Sequence, residues 1–505
     1  MLRGRADMPN IGTLRSIPPR VACAGQRGQV LVWFLAFAAT LAVVFAGVYS
    51  VGQATSEKQK VVNAADAAAY SGALVEARAL NLIAYTNRSV VANEVLIAQM
   101  VSLQSWTDYF ERATSNYQTI FNALSGIPYV GAAFKALAVT MQALNKIVVV
   151  QQKVLNGVVP SVIRSWEGLF AVWYTGVIRP AFMPPVMAQA ARSASAAVLQ
   201  ANVATQGGRR DTAAHLIQTT TLMARNEFEW QRATRYYTGN DRKYARDLIL
   251  ASRDEFSTNR PGSEIFFLNV LFGNSSMCVP FTFKIGSEKQ GPTRLVNFDR
   301  WEAQDTLEFK QKIGPRGCSW GKGTMAEPIG WGRSVADQRG QTNGTRINTD
   351  GGAGALAWKA TNKNSGWTGI KSLYDVERDN KGKPRSEDFT YAIAAAKYKG
   401  DIRTNESLGF ESRAMAGPLG SPDLKAGFAK DQMISLAEAR IFFARPVRNN
   451  LDITGSGLFR ADSFQEYASL YNPYWQVRLS APSQATRLLV YGAAGLNPAL
   501  EVFAQ

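Results

Sequence analysis

The chain is poor in the residues on which most enzyme chemistry depends. Of 505 residues one is histidine, His215, and three are cysteines, Cys23, Cys278 and Cys318. No Cys-x-x-Cys occurs, so no zinc site can be drawn. No Gly-x-Ser-x-Gly elbow occurs either, and a Ser-His-Asp or Cys-His constellation would have to centre on His215, which has no nucleophile near it in sequence. Asp350-Gly351-Gly352-Ala353-Gly354 lacks the Gly-Lys-Ser/Thr ending of a phosphate loop and reads as a turn. Glu411 with Glu438, or Asp462 with Glu466, are pairs that any chain with 39 acids offers. No catalytic, cofactor-binding or metal-ligating residue is assigned, and the expectation is a protein that is not an enzyme. The net charge of +17 comes without any Lys/Arg block of five or more, so nucleic acid is not an expected partner.

Charge itself is missing between Arg27 and Glu57. Inside that gap Val30 to Val48 is almost purely apolar, with Thr40 its only hydroxyl and Gly47 its only glycine. As a helix such a run covers roughly the thickness of a bilayer core. The preceding tail carries Arg3, Arg5, Arg15, Arg20 and Arg27 against Asp7, and positive flanks stay in the cytoplasm. The expected topology is a single span, residues 29–56, with residues 1–28 inside and everything after about Ser56 exported. A cleaved secretory signal would have a shorter apolar core and a better small-x-small site than Ala46-Gly47-Val48. A lipoprotein is excluded because Cys23 precedes the run. Cys278 and Cys318 then form the one natural pair on the side where disulfides persist, with two free buried thiols the competing reading.

With 46% hydrophobic and 19% charged residues the exported part can bury a sizeable core. From Glu57 to about Ser125 there is no proline and only Gly72 among glycines, with dense alanine in Asn63-Ala64-Ala65-Asp66-Ala67-Ala68-Ala69. Strong helix formers of this kind predict one long helix leaving the membrane, or one broken near Gly52. Gly126-Ile127-Pro128 ends it. Further helical blocks are expected over about 132–155, 161–175, 186–205, 211–237 and 241–253, the first ending at Gly157 and Pro160. Lys135, Lys146, Lys153, Arg164 and Glu167 interrupt the apolar stretch 129–178, which reads as a bundle helix or a surface-lying one, not a second span. After Asn259 the texture turns to glycine, asparagine and short β-type runs: Ile265–Leu268, Phe281–Ile285 and Trp475–Leu479. The stretch 340–420 is the most loop-like. The expected class is α+β: a single N-terminal transmembrane helix, an α-helical stalk or bundle over 57–258, and a mixed, β-rich exported domain over 259–505.

Asn63, Asp66 and Tyr70 share one helix face at 3–4-residue spacing. Together with Ala65 and Ala68, whose small side chains allow close approach, they form a candidate helix-contact site. An ordinary solvated stripe is the competing reading.

Arg27-Gly28-Gln29-Val30, the apolar run, and Lys58-Gln59-Lys60-Val61-Val62-Asn63-Ala64-Ala65-Asp66-Ala67-Ala68-Ala69-Tyr70 follow one another in an order that resembles the N-terminal module of TadE/TadG-like Flp pilus-assembly proteins. Glu76-Ala77-Arg78-Ala79-Leu80-Asn81, Ala84-Tyr85-Thr86-Asn87-Arg88, Ala437-Glu438-Ala439-Arg440 and Asn472-Pro473-Tyr474-Trp475-Gln476 look like parts of the long members. The resemblance implies a pseudopilin-like component of Flp-type pilus assembly in a bacterial inner membrane. Its partners would be other pilin-like or pilus-assembly subunits, or further copies of this chain through the stalk helix. It also marks Gly28 and Gln29 as the place where a prepilin-type cut would fall, although Trp33 stands where such precursors carry glutamate. The metal site of some members is not carried over, because no Asp-x-Ser-x-Ser is found. The rival reading is a single-span envelope ligand-binding or sensory protein.

Overall fold

The structure is a computed structural model. It describes residues 29–201, 204–206, 209–211, 215–217, 220–262, 275–279, 283–313, 324–339, 352–398, 432–445 and 466–493. Its first element is α1, Gln29–Leu124, a helix of 96 residues unbroken at Gly52. At 1.5 Å per residue it is about 140 Å long. Val30 to Val48 is exposed along nearly all of its length. From Val61 onward one face of the same helix is buried.

A tight connection in which Tyr129 adopts a left-handed φ of 69° returns the chain into α2, Gly131–Phe170. The helix continues through a π-helical stretch, Ala171–Ile178, into the short α3, Arg179–Ala181. The expected break at Gly157 and Pro160 does not occur. A proline inside a helix costs about 3 kcal/mol. Burial of Leu155, Val159 and Ile163 against α1 holds the helix through it. Both α1 and the α2–α3 stretch are long and apolar enough to cross a membrane by length and composition.

Next come α4 (Pro184–Ala201), β1 (Ala204–Gln206), β2 (Arg209–Asp211), β3 (His215–Ile217), α5 (Thr220–Ala233), β4 (Thr234–Tyr237) and α6 (Lys243–Ala251). Strands therefore interrupt the stretch 211–237 that the sequence marks as helical. β5 (Ser275–Val279), β6 (Phe283–Gln290), β7 (Thr293–Val296), β8 (Arg300–Ile313) and β9 (Thr324–Asp337) follow. Then come α7 (Gly352–Lys359), β10 (Thr361–Ser365), β11 (Leu373–Val376), β12 (Asp388–Tyr398), β13 (Gln432–Phe443), β14 (Trp475–Ser480) and α8 (Gln484–Ala493). The class is mixed, with a long apolar N-terminal helix and a β-rich C-terminal region.

One sheet has the order β10-β9-β8-β6-β5, with β7 beside β8, and only β10–β9 is parallel. A second, antiparallel, is β14-β13-β12-β3. A two-stranded pair joins β4 to β11. Alternate residues of β12 point to opposite faces. Phe389, Tyr391, Ile393 and Ala395 join the main core with α1, while Ala392, Ala394 and Ala396 meet Leu222 of α5 and Val490 of α8. That main core holds residues from both sides of residue 259, from Val61 to Trp475.

Two sequence readings are corrected here. The turn assigned to 350–354 is partly the first turn of α7, where the Ala353 N–H donates to the Glu308 carboxylate. The loop-like region 340–420 contains α7 and three strands.

Candidate functional site

The buried face of α1 is made of Val61, Ala64, Ala65, Ala68, Ala69, Ala73, Ala77 and Leu80. Small side chains let other elements reach the helix backbone. Ser195 of α4 donates to the carbonyl of Ala68 at 2.8 Å and bonds Tyr391 of β12 at 3.2 Å. A Cβ on Gly72 would lie 2.3 Å from the Tyr391 ring and 2.5 Å from Ser195 Oγ. Glycine is required there by close approach.

The candidate contact residues therefore separate. Ala65 and Ala68 are fully buried within this chain. Asn63 and Tyr70 are exposed and Asp66 half-buried, on a different face of α1. Burial raises the Asp66 carboxyl above its ordinary range. The structure thus keeps Asn63, Asp66 and Tyr70 together and places the two alanines in the internal packing. Gly28 lies outside the described residues, and Gln29 is the first residue of α1. Cys318 also lies outside them, so the disulfide is not described. The backbone of Cys278 is in β5, opposite Lys284.

Farther along α1, polar side chains fix the rest of the body. The Asn81 amide donates to the Trp475 carbonyl and accepts from the Trp475 N–H, both at 3.0 Å. Asn87 is fully buried and donates to the carbonyls of Tyr374 and Leu470 while accepting from the Tyr174 hydroxyl. Glu94 accepts from the indoles of Trp166 and Trp367. Burial outweighs the opposing pull of Lys371 and the indole hydrogen bonds and holds its carboxyl at about 7. Ser105 donates to Asp305, which Arg260 and Lys289 also hold. Burial opposes the Asp305 charge, but the two cations keep its carboxyl below the usual range. Gln104, Asp108 and Asn116 reach Asn364, Asn362 and the Ile329 carbonyl. These groups saturate one another around a helix. They make α1 a spine to which both sheets are fastened.

Glu438, one of the acids considered above, accepts from Arg225, Thr486 and the Ser483 N–H. Glu466 is held by Arg445 and Asn472. Both have structural partners. Among the described residues no group of three His, Cys, Asp or Glu is placed to hold a metal ion. One cavity of about 360 Å³ opens between α1 and α2, lined chiefly by Tyr85, Trp166, Leu169, Phe170, Trp173 and Tyr174. Four of its aromatics come from the single stretch 166–174, and Tyr85 of α1 closes the other side.

Residues 28–77 match the family model of the TadE/G-like Flp pilus-assembly domain. The Tad match takes in the exposed apolar run and the first turns of the buried alanine face, about a tenth of the chain. Asn81, Asn87, both sheets and the cavity lie beyond it. No curated protein and no solved structure gives a significant match.

Proposed function

We propose that this protein is a non-catalytic, pseudopilin-like component of Flp/Tad-type pilus assembly. Val30–Val48 anchors it in the bacterial inner membrane as its single span. The arginine-rich tail stays in the cytoplasm and the body is exported. The observation that carries this reading is the coincidence of the Tad match with one continuous helix, apolar and exposed at one end and buried in the body at the other. In such a helix a displacement of the anchor within the membrane displaces the body with it. The partners are other pilus subunits. The chain start stays uncleaved at Gly28–Gln29, and Cys278–Cys318 closes a disulfide in the exported part.

The test is an in-frame deletion with complementation. Surface pili counted by electron microscopy should disappear in the deletion and return with the intact chain. They should not return with a chain whose span is replaced by a cleavable signal, although its body is exported at equal level. Normal pili in the deletion strain would reject the role.

A further inference from the structure

Among the described residues nothing covers the outward face of α2. Val139, Ile147, Val150, Val154, Val158 and Leu169 are between 41% and 66% exposed. Val139 and Val150 recur at eleven residues, as do Ile147, Val158 and Leu169. Eleven residues make three helical turns, so such a stripe runs straight along the helix. It extends for about 45 Å from Val139 to Leu169. Leu169 also lines the aromatic cavity, so stripe and cavity form one surface.

Charge lies along only one edge of this stripe. Lys135, Lys146, Lys153 and Arg164 follow at steps of eleven, seven and eleven residues, all exposed. None of the four makes an ion pair among the described residues. The one acid of α2, Glu167, is held by Lys371 and Thr368. The surface is an apolar track with a row of cations beside it and a hole at its end.

We infer that this face of α2 docks a helix of another polypeptide, apolar on one side, with a row of acidic residues beside the apolar stripe and a large apolar side chain that enters the Trp166–Trp173 cavity. Neither long helix of a second copy, α1 or α2, meets this description. Its α2 would bring a second cationic row, and no acid on α1 is exposed: Glu57, Glu76, Glu94 and Asp108 are buried and Asp66 and Glu111 half-buried.

An anionic lipid surface matches the charge but not the position. α2 runs antiparallel to α1, as the pairs Asn145–Thr114, Gln152–Asp108, Asn156–Gln104 and Tyr174–Asn87 show. With Val30–Val48 in a membrane, about 55 Å of unbroken helix separates Val48 from Tyr85 at the rim of the cavity. That places the track beyond the headgroups. This step rests on the anchored reading proposed above.

The experiment places the photo-crosslinking residue benzoylphenylalanine at Val154 of the full chain, in its native membrane. The expected adduct is a single foreign chain, joined within a helical segment that is apolar on one face and carries Asp or Glu at seven- and eleven-residue steps. Lys146→Glu with Lys153→Glu should lower the yield at least ten-fold while leaving the melting temperature unchanged, since both side chains are exposed. Reversing the partner's acids to lysine should restore it. An adduct between two copies, an adduct to lipid, no adduct at all, or a yield indifferent to the charge reversal would each overturn the proposal. Membrane topology is read separately, from a reporter on the same full chain. A lipid adduct with an exported reporter rejects the helical partner alone, whereas a reporter retained in the cytoplasm rejects the anchored reading.

Discussion

Asn81 and Trp475 stand 394 residues apart and exchange two hydrogen bonds of 3.0 Å, side-chain amide to backbone, so that β14 is sewn to the middle of α1. Both residues lie beyond the stretch 28–77 that matches the Tad family model. Asn87 repeats the device at Tyr374 and Leu470.

Asn81→Ala is expected to destabilise the fold by about 1–3 kcal/mol, because it strands the Trp475 N–H and carbonyl in a partly buried place. The midpoint of urea unfolding of the detergent-solubilised chain measures it. Asn81→Asp keeps the acceptor and loses the donor, and should fall between the wild type and the alanine variant. An unchanged midpoint in the alanine variant would remove Asn81 from the spine.

Close packing on α1 makes size decisive at its small residues. Ala68→Leu should cost about 1–3 kcal/mol by overpacking the core. Ala67→Leu, on the exposed side, should stay within about 0.5 kcal/mol. Gly72→Ala should also destabilise, whereas Gly157→Ala in α2, with nothing near the new methyl, should gain about 0.5–1 kcal/mol of helix propensity. Equal melting temperatures for Ala67→Leu and Ala68→Leu would contradict the burial seen here.

Glu94 gives a pH dependence of definite sign. The folded chain keeps its proton to about pH 7, against 4.5 for an ordinary glutamate, because the site is dry. Between those values the folded state binds more protons than the unfolded one, so this group makes stability fall as pH rises, by about 3 kcal/mol across the window. Glu94→Gln should remove that share of the slope in unfolding measured from pH 4.5 to 8. It leaves one of the two indole N–H groups without an acceptor, so the slope, not the absolute stability, is the quantity to compare. An identical slope in the variant would mean that Glu94 is ionised throughout.

Some of this was legible in the sequence. The uncharged run, the absence of proline to Ser125 and the dense alanines made α1 readable, since each feature acts locally. The 3–4-residue spacing of Asn63, Asp66 and Tyr70 places them on one face of such a helix. Spacing could not say that Ala65 and Ala68 turn inward, because that depends on where α4 and β12 lie. β12 itself was hidden: Ala392 to Ala396 has low strand propensity, and it forms a strand because helices cover both of its faces. The continuity of α2 past Pro160 and the roles of Asn81 and Asn87 depend equally on contacts distant in sequence.

The central claim is that one span carries the whole body out of the cytoplasm. Alkaline phosphatase fused after Gln505 of the full chain tests it most directly, because α2 is long and apolar enough to form a second span and two spans would bring the C-terminus back inside. The expected result is an active phosphatase, with a cytoplasmic reporter at the same position inactive. An inactive phosphatase beside an active cytoplasmic reporter would contradict it.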